Sequence, residues 1–260
     1  AGRSQPTPAT LQTGIELSGV GFRYPEGTAA VLDGVSAQLS AGKVTALVGA
    51  NGAGKSSLVK LLTRMYDPTE GVILLDGVPL ADYNLTALRQ RIAVVYQDFA
   101  RFALTLRENI ALGAANAGEQ HSIAQAACWA GADVVAAKLP AGFDTELTRQ
   151  FAGGVELSSG EWQKVATARA AMRDAALVIL DEPTAALDAQ AEYELFQRFR
   201  ELAEGRTVLL ISHRFSTVRM ADRILVLEGG RIIEDGSHNE LVARGGRYAS
   251  LYEMQAGRYR

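Results

Sequence analysis

Eight consecutive residues, Gly49-Ala50-Asn51-Gly52-Ala53-Gly54-Lys55-Ser56, have the types and spacing of a loop that wraps a polyphosphate. Glycines let successive backbone N–H groups curl toward one anion with no Cβ in the way. A helix that starts where the loop ends aims its positive dipole end at the same anion. Lys55 adds a mobile charge for the β- and γ-phosphates, and the Ser56 hydroxyl can coordinate Mg²⁺. With 26 glycines in the chain a chance match has to be weighed. This match lies between an apolar run, Val44–Val48, and a stretch of helical periodicity at 57–64, where such a loop belongs. Phosphate binding is therefore assigned to Gly49, Asn51, Gly52, Ala53, Gly54, Lys55, Ser56 and Ser57, with Lys55 also catalytic.

A second set is Leu177-Val178-Ile179-Leu180-Asp181-Glu182. Four apolar residues make a buried strand, and two carboxylates emerge at its C-terminal end. Ligand sites in open parallel sheets lie at that end. Asp181 is expected to hold Mg²⁺ and Glu182 to act as general base toward an attacking water. Alone, the pair reads equally well as a strand ending in a solvated acidic turn; downstream of a phosphate loop that alternative is weak.

The elements that must position these residues are legible as short runs. Residues 1–13 carry Pro6 and Pro8 and read as a linker, with one domain over 14–260. Ile15, Leu17 and Val20 lead to a strand ending at Pro25. Val31-Leu32 and residues 35–39 look like two further strands split by Asp33-Gly34. Strands follow at 72–75 and 92–96. Residues from about 98 to 173 lose strand character and gain Ala and Leu, notably over 123–139, which predicts a helical subdomain inserted in the core. Beyond it come a strand at 177–180, a helix at 189–203, a strand at 207–212 and a helix at 215–221. A hairpin around Gly229-Gly230 and a helical tail broken at Gly245-Gly246 complete the chain. The alternation predicts an α/β fold with a mostly parallel sheet, an N-terminal antiparallel β subdomain and the inserted α-helical subdomain.

Composition narrows the function classes. The 260 residues are 48% hydrophobic and 21% charged, with net charge -3. No basic block is present, which argues against a nucleic-acid partner. Cys128, the single cysteine, sits in a small-residue helical stretch and reads as a small buried hydrophobe. No run approaches the ~18 apolar residues of a membrane span. The chain starts at Ala1, and its first methionine is Met65; it is expected to be cut from something longer, processed, or freed of a tag.

With these motifs in place, residues 14–256 resemble the nucleotide-binding domain of an ABC transporter. Leu157-Ser158-Ser159-Gly160-Glu161 is similar to the family signature, usually Leu-Ser-Gly-Gly-Gln. Ser159 stands in place of the first glycine and Glu161 in place of the glutamine. Ser158 is a fair N-cap, and Gly160 permits close approach to an anion. The resemblance implies that Ser158, Ser159, Gly160 and Glu161 contact the γ-phosphate of ATP held by a second copy. It implies adenine stacking for Tyr24, a Mg²⁺- or water-contacting role for Gln97, and γ-phosphate sensing for His213. It also implies an interface loop at Ala185-Ala186-Leu187-Asp188. His121 and His238 have no such placement and read as structural or surface residues.

Thr105-Leu106-Arg107-Glu108-Asn109-Ile110, Asp235-Gly236-Ser237-His238-Asn239-Glu240-Leu241 and Tyr248-Ala249-Ser250-Leu251-Tyr252 resemble segments of exporter-type domains. An acidic residue often found before the signature is replaced by Ala152. The resemblance implies an ATPase using ATP and Mg²⁺, with Glu182, His213, Lys55 and Gln97 catalytic and Ser56, Gln97 and Asp181 on the metal. It implies a head-to-tail dimer with a second such domain, homo- or heterodimeric. It further implies a transmembrane domain in the same polypeptide, with this domain at the cytoplasmic face of the cell membrane. The alternatives are a separately encoded importer subunit, or a soluble non-transport ABC ATPase. Soluble ATPases of that kind carry paired domains, coiled-coil insertions or basic segments, which are missing here. A non-hydrolysing domain should have lost Glu182, His213 or Lys55.

Overall fold

The computed structural model describes residues 6–114, 122–149, 153–183 and 205–256. Its centre is a sheet in the order β10-β9-β3-β8-β7-β6. The strands are β3 (Val44–Val48), β6 (Ile92–Val95), β7 (Leu177–Asp181), β8 (Thr207–Ile211), β9 (Arg223–Glu228) and β10 (Arg231–Gly236). β9, β3, β8, β7 and β6 run parallel, and β10 returns antiparallel to β9. Every residue of β3, β7 and β8 is buried. That is why these strands read as near-continuous apolar runs rather than as alternating ones.

The side-chain alternation of β3 splits the core in two. Leu47 faces a cluster containing Leu58, Leu61 and Leu62 of α1 (Lys55–Leu62) and the inner face of a second sheet. Ala46 and Val48 face the other way, toward Ala166 and Ala170 of α6 (Ser159–Ala171) and toward Phe215 and Tyr248. The second sheet is antiparallel, in the order β2-β1-β4-β5, from β1 (Gly14–Phe22), β2 (Leu32–Ser40), β4 (Glu70–Leu75) and β5 (Val78–Pro79). α1, which carries Lys55, is thus held between two sheets.

The helical insert follows β6. It comprises α3 (Leu106–Ala111), α4 (Ile123–Ala130), α5 (Ala132–Ala136) and the start of α6, after the earlier short α2 (Leu85–Gln90). Leu106, Ile110, Ala127, Trp162 and Val165 form its own core.

Two expectations differ from what the chain does, and helix α2 falls where the sequence reading places no element. Residues 32–40 form one strand, because the irregularity at Asp33-Gly34 is absorbed as a register shift against β1 between Val35 and Leu32. Cys128, expected to be buried, is exposed on α4, which closes at Gly131, whose φ of 73° also opens α5. Helix α2 carries no long apolar stripe; Asn84 caps it, accepting from the Ala87 N–H at 3.0 Å. The helix expected at 189–203, the interface loop at 185–188, Ala152 and His121 lie outside the described residues.

Candidate functional site

The phosphate loop leaves β3 and enters α1 through two glycines that nothing larger can replace. A Cβ on Gly49 would stand 2.2 Å from the Leu227 carbonyl oxygen. Gly54 caps α1 at φ 110°, and a Cβ there would meet Leu32 Cδ2 at 2.7 Å and the Val31 carbonyl at 2.9 Å. The loop is therefore pressed against β9 and the start of β2, which fixes the direction of its N–H groups. Lys55 is buried, and its Nζ donates to the Gly49 carbonyl at 2.8 Å and the Ala50 carbonyl at 3.0 Å. Burial holds the Lys55 pKa below the ordinary lysine value, while the charges of Glu182 and Asp181 pull it back up.

A cavity of about 520 Å³ opens in front of this loop. From the loop it is lined by Asn51, Gly52, Gly54, Lys55, Ser56 and Ser57, and across it stand Gln97, Asp181, Glu182 and His213. Residues far apart in sequence thus converge because β3, β6, β7 and β8 end at one edge of the sheet. Val31 also lines the cavity, and no sequence signal marks it. Gly49 and Ala53 do not line it: Ala53 is buried in the core behind the loop.

Glu182 has a φ of 51°, a left-handed backbone that bulky residues rarely adopt. Its own N–H extends the ladder to the Ile211 carbonyl at 2.9 Å, and this bond holds the turn. The turn brings Glu182 Oε1 to 2.8 Å from His213 Nε2. The His213 pKa lies below the ordinary histidine value, chiefly through burial and then the Lys55 charge, with Glu182 opposing. A neutral imidazole therefore donates its Nε2–H to the Glu182 carboxylate. This contact has no signature in the sequence, because the two residues come from different strands.

Asp181 is buried, and its pKa is raised by that burial and by the charges of Glu182 and Asp98, with Lys55 opposing. A cation would relieve this strain. Among the described residues no group of three or more His, Cys, Asp or Glu forms a metal cage. Ser56, Gln97 and Asp181 facing one cavity suit an ion such as Mg²⁺, which keeps most of its ligands as water and phosphate oxygens.

Tyr24 stands apart from the cavity lining. Its ring packs edge-on against Phe22 at 4.8 Å and Tyr66 at 5.4 Å, and the Lys60 ammonium lies 5.1 Å from its centroid. The Tyr24 hydroxyl is 3.0 Å from Ser57 Oγ and accepts from Lys60 Nζ at 3.1 Å. Tyr24 is thereby tied to the phosphate helix rather than sunk in the core.

Ser158, Ser159, Gly160 and Glu161 are not among the residues lining the cavity. They open α6 through a capping box. Glu161 Oε2 accepts from the Ser158 N–H at 2.9 Å and its hydroxyl at 2.8 Å, and Ser158 Oγ accepts from the Glu161 N–H at 3.3 Å. Glutamate at this position, the departure seen in the sequence, serves the cap. Ser159 Oγ accepts from Arg101 Nη2 at 3.4 Å, so the second departure also finds a partner. One turn on, Gln163 Nε2 donates to the Pro183 carbonyl, joining α6 to the segment after Glu182. Two exporter-like segments are likewise helix starts, with capping boxes at Thr105/Glu108 and Ser237/Glu240. His238 is structural, its Nδ1 lying 2.8 Å from the Tyr248 hydroxyl.

Residues 32–185 match the family model described as ABC transporter. An "ATP-dependent lipid A-core flippase" of Chromohalobacter salexigens is 44% identical over 95% of this chain and 42% of its own length. One from Pseudomonas aeruginosa is 44% identical over 92% of this chain and 39% of its own. The chain thus spans about two fifths of the relatives it matches. A bacterial Atm1-family ABC exporter with ATP bound superposes with TM-score 0.86 at 37% identity, covering 98% of this chain and 44% of that one.

Proposed function

As a member of the ABC transporter family the chain binds and hydrolyses ATP, and we propose that it is the engine of an exporter whose membrane-spanning part lies outside this chain. The observation that carries the reading is the separation of two kinds of chemistry. Lys55, Ser56, Gln97, Asp181, Glu182 and His213 face one cavity, while the capped helix start at Ser158-Ser159-Gly160 is not part of its lining. A single copy thus offers a phosphate site and a separate anion-binding helix start. Two copies head to tail let each signature close on the other's γ-phosphate. Among the described residues no helix is long and apolar enough to cross a membrane. In the proposed exporter the cargo path belongs to the membrane-spanning part, and this domain works at the cytoplasmic face of the cell membrane.

In this reading the loop N–H groups and Lys55 hold the β- and γ-phosphates, and Tyr24 stacks on adenine. Gln97 orients a water. Glu182 takes a proton from that water as its oxygen attacks the γ-phosphorus and the bond to the β–γ bridging oxygen breaks, giving ADP and phosphate. His213, neutral and hydrogen-bonded to Glu182, fixes the carboxylate that would otherwise rotate freely. Mg²⁺ held by Ser56, Gln97 and Asp181 would neutralise charge between the β- and γ-phosphates.

The test is a pair of variants. Glu182→Gln keeps the shape and removes the base, so ATP should persist and gel filtration should show an ATP-dependent dimer. Adding Gly160→Asp sets a carboxylate against the partner's γ-phosphate, where like charges repel. The double variant should bind ATP as a monomer and fail to dimerise. An unchanged dimer, or a loss of monomer binding as severe as that of Lys55→Ala, rejects the two-copy site.

A further inference from the structure

His213 lines two cavities. Besides the phosphate cavity it borders one of about 220 Å³, between the back of the phosphate loop at Gly49 and Ala50 and the last helix at Leu251 and Met254. On that side the loop after β8 has open space beside it instead of packed side chains. Across the gap it is tied by Gln255, on the helix Arg247–Ala256. Gln255 Nε2 donates to the His213 carbonyl, and Gln255 Oε1 accepts from the Phe215 N–H at 3.0 Å. One carboxamide therefore grips the loop on both sides of Arg214, giving and taking one hydrogen bond.

The helix behind this grip is itself anchored. Glu234 of β10 accepts from the N–H groups of Arg247 at 2.7 Å and Tyr248 at 2.8 Å. The fully buried Tyr248 packs its ring 5.2 Å from that of Phe215, and Tyr252 lies 5.8 Å from the same ring. Tyr248, Tyr252 and Gln255 recur at i, i+4 and i+7, so they share the face turned to the loop. Two of the three hold the helix in place, and the third reaches the backbone of the residue that contacts Glu182.

We infer that Gln255 is a positioning residue for His213, setting where the imidazole stands against Glu182 and linking the last helix to the hydrolysis step. The inference rests on the reading of His213 and Glu182 given above. It identifies a point where a force on the C-terminal helix reaches the reacting groups without passing through the nucleotide.

The experiment is steady-state ATP hydrolysis by the chain, with nucleotide affinity and thermal midpoint measured alongside. Gln255→Glu has the same shape and still accepts from Phe215, but it sets a carboxylate oxygen against the His213 carbonyl. Gln255→Leu removes both bonds. For each, kcat should fall about tenfold while KM and the ATP Kd stay within about twofold. Adding Gln255→Glu to His213→Ala should change the residual rate by less than about twofold, since the two act as one unit. A wild-type kcat for Gln255→Glu overturns the inference, as does a further tenfold loss in the His213→Ala background. If Gln255→Leu does not fold, the glutamate isostere carries the test. Wild-type activity in His213→Ala would instead overturn the reading of His213. An inactive His213→Ala beside a fully active Gln255→Glu would overturn only the role given to Gln255.

Discussion

Changing Glu161 to glutamine separates what this residue does for its own helix from what it does to a partner's nucleotide. Its carboxylate accepts both the N–H and the hydroxyl of Ser158, so the hydroxyl proton that a γ-phosphate would use is already engaged. These bonds hold its pKa below the ordinary glutamate value, and the group is charged at neutral pH. Glutamine keeps an acceptor of the same shape without the charge. The cap loses its charge assistance and its interaction with the helix dipole, about 0.5–1 kcal/mol together. In a chain of this size that is a fall of about 2 °C in the thermal midpoint.

The other side of the balance is larger. With the carboxylate roughly 5–7 Å from the partner's γ-phosphate at an effective dielectric of about 40–80, repulsion is about 0.6–1.7 kcal/mol per phosphate charge. Two charges on each phosphate and two such sites in the head-to-tail dimer make the ATP-dependent dimer about fiftyfold tighter, or more, in Glu161→Gln. Analytical ultracentrifugation of Glu182→Gln with and without Glu161→Gln measures this, with monomer ATP binding as the control. A small fall in midpoint with no tightening of the dimer would refute the idea that Glu161 faces the partner's nucleotide.

Tyr24→Ala should weaken ATP binding about tenfold in a fluorescent-nucleotide titration, the loss of one stacked base. Tyr24→Phe keeps the ring but not the bonds to Ser57 and Lys60, and should cost only two- to threefold by ordinary hydrogen-bond magnitudes. Equal affinity for wild type and Tyr24→Ala would remove the base from this ring. Stability should fall as pH drops through and below 6.5, the ordinary histidine value. His213 and His238 both titrate lower than this when folded, His238 through burial and then Arg219, so the unfolded chain binds protons first. Carboxylates held low, such as Asp76 and Glu161, act only near and below their ordinary values of 3.8 and 4.5, outside this window. Thermal midpoints between about pH 7.5 and 5.5 should show the slope, and His238→Gln should flatten it; an unchanged slope would count against the His238 contribution.

What could be read in advance follows from which forces are local. The buried parallel strands announced themselves because burial on both faces favours near-continuous apolar runs, broken only by a threonine in each of Val44–Val48 and Thr207–Ile211. The phosphate loop was legible because its glycines, lysine and serine fall at fixed spacing within eight residues, although the groups that exclude a Cβ at Gly49 and Gly54, from Leu227, Leu32 and Val31, lie far along the chain. Asp33-Gly34 looked like a strand break because a register shift depends on β1, the facing strand, and not on the dipeptide. Gly131 was submerged in an alanine-rich stretch whose composition favours helix on both sides. The Glu182–His213 contact and the Gln255 grip join different strands and helices, so local pattern carries no trace of them.

The strand order has a consequence for the life of the nascent chain. β3, which ends in the phosphate loop, finds its ladder partners in β8 and β9, with Val44 beside Val208 and Thr45 beside Arg223. Both of its edges stay unpaired until more than 160 further residues have been made, a wait of roughly 10–30 s at ribosomal rates. The antiparallel sheet closes much earlier, because β1, β2 and β4 lie within the first 75 residues. A fully buried strand of the catalytic core thus waits long for its partners during synthesis. Its nearest temporary shelter is α1 packing onto the early sheet, through Leu58, Leu61 and Leu62. The phosphate loop therefore gains its full support only once β8 and β9 are available to pair on either side of β3.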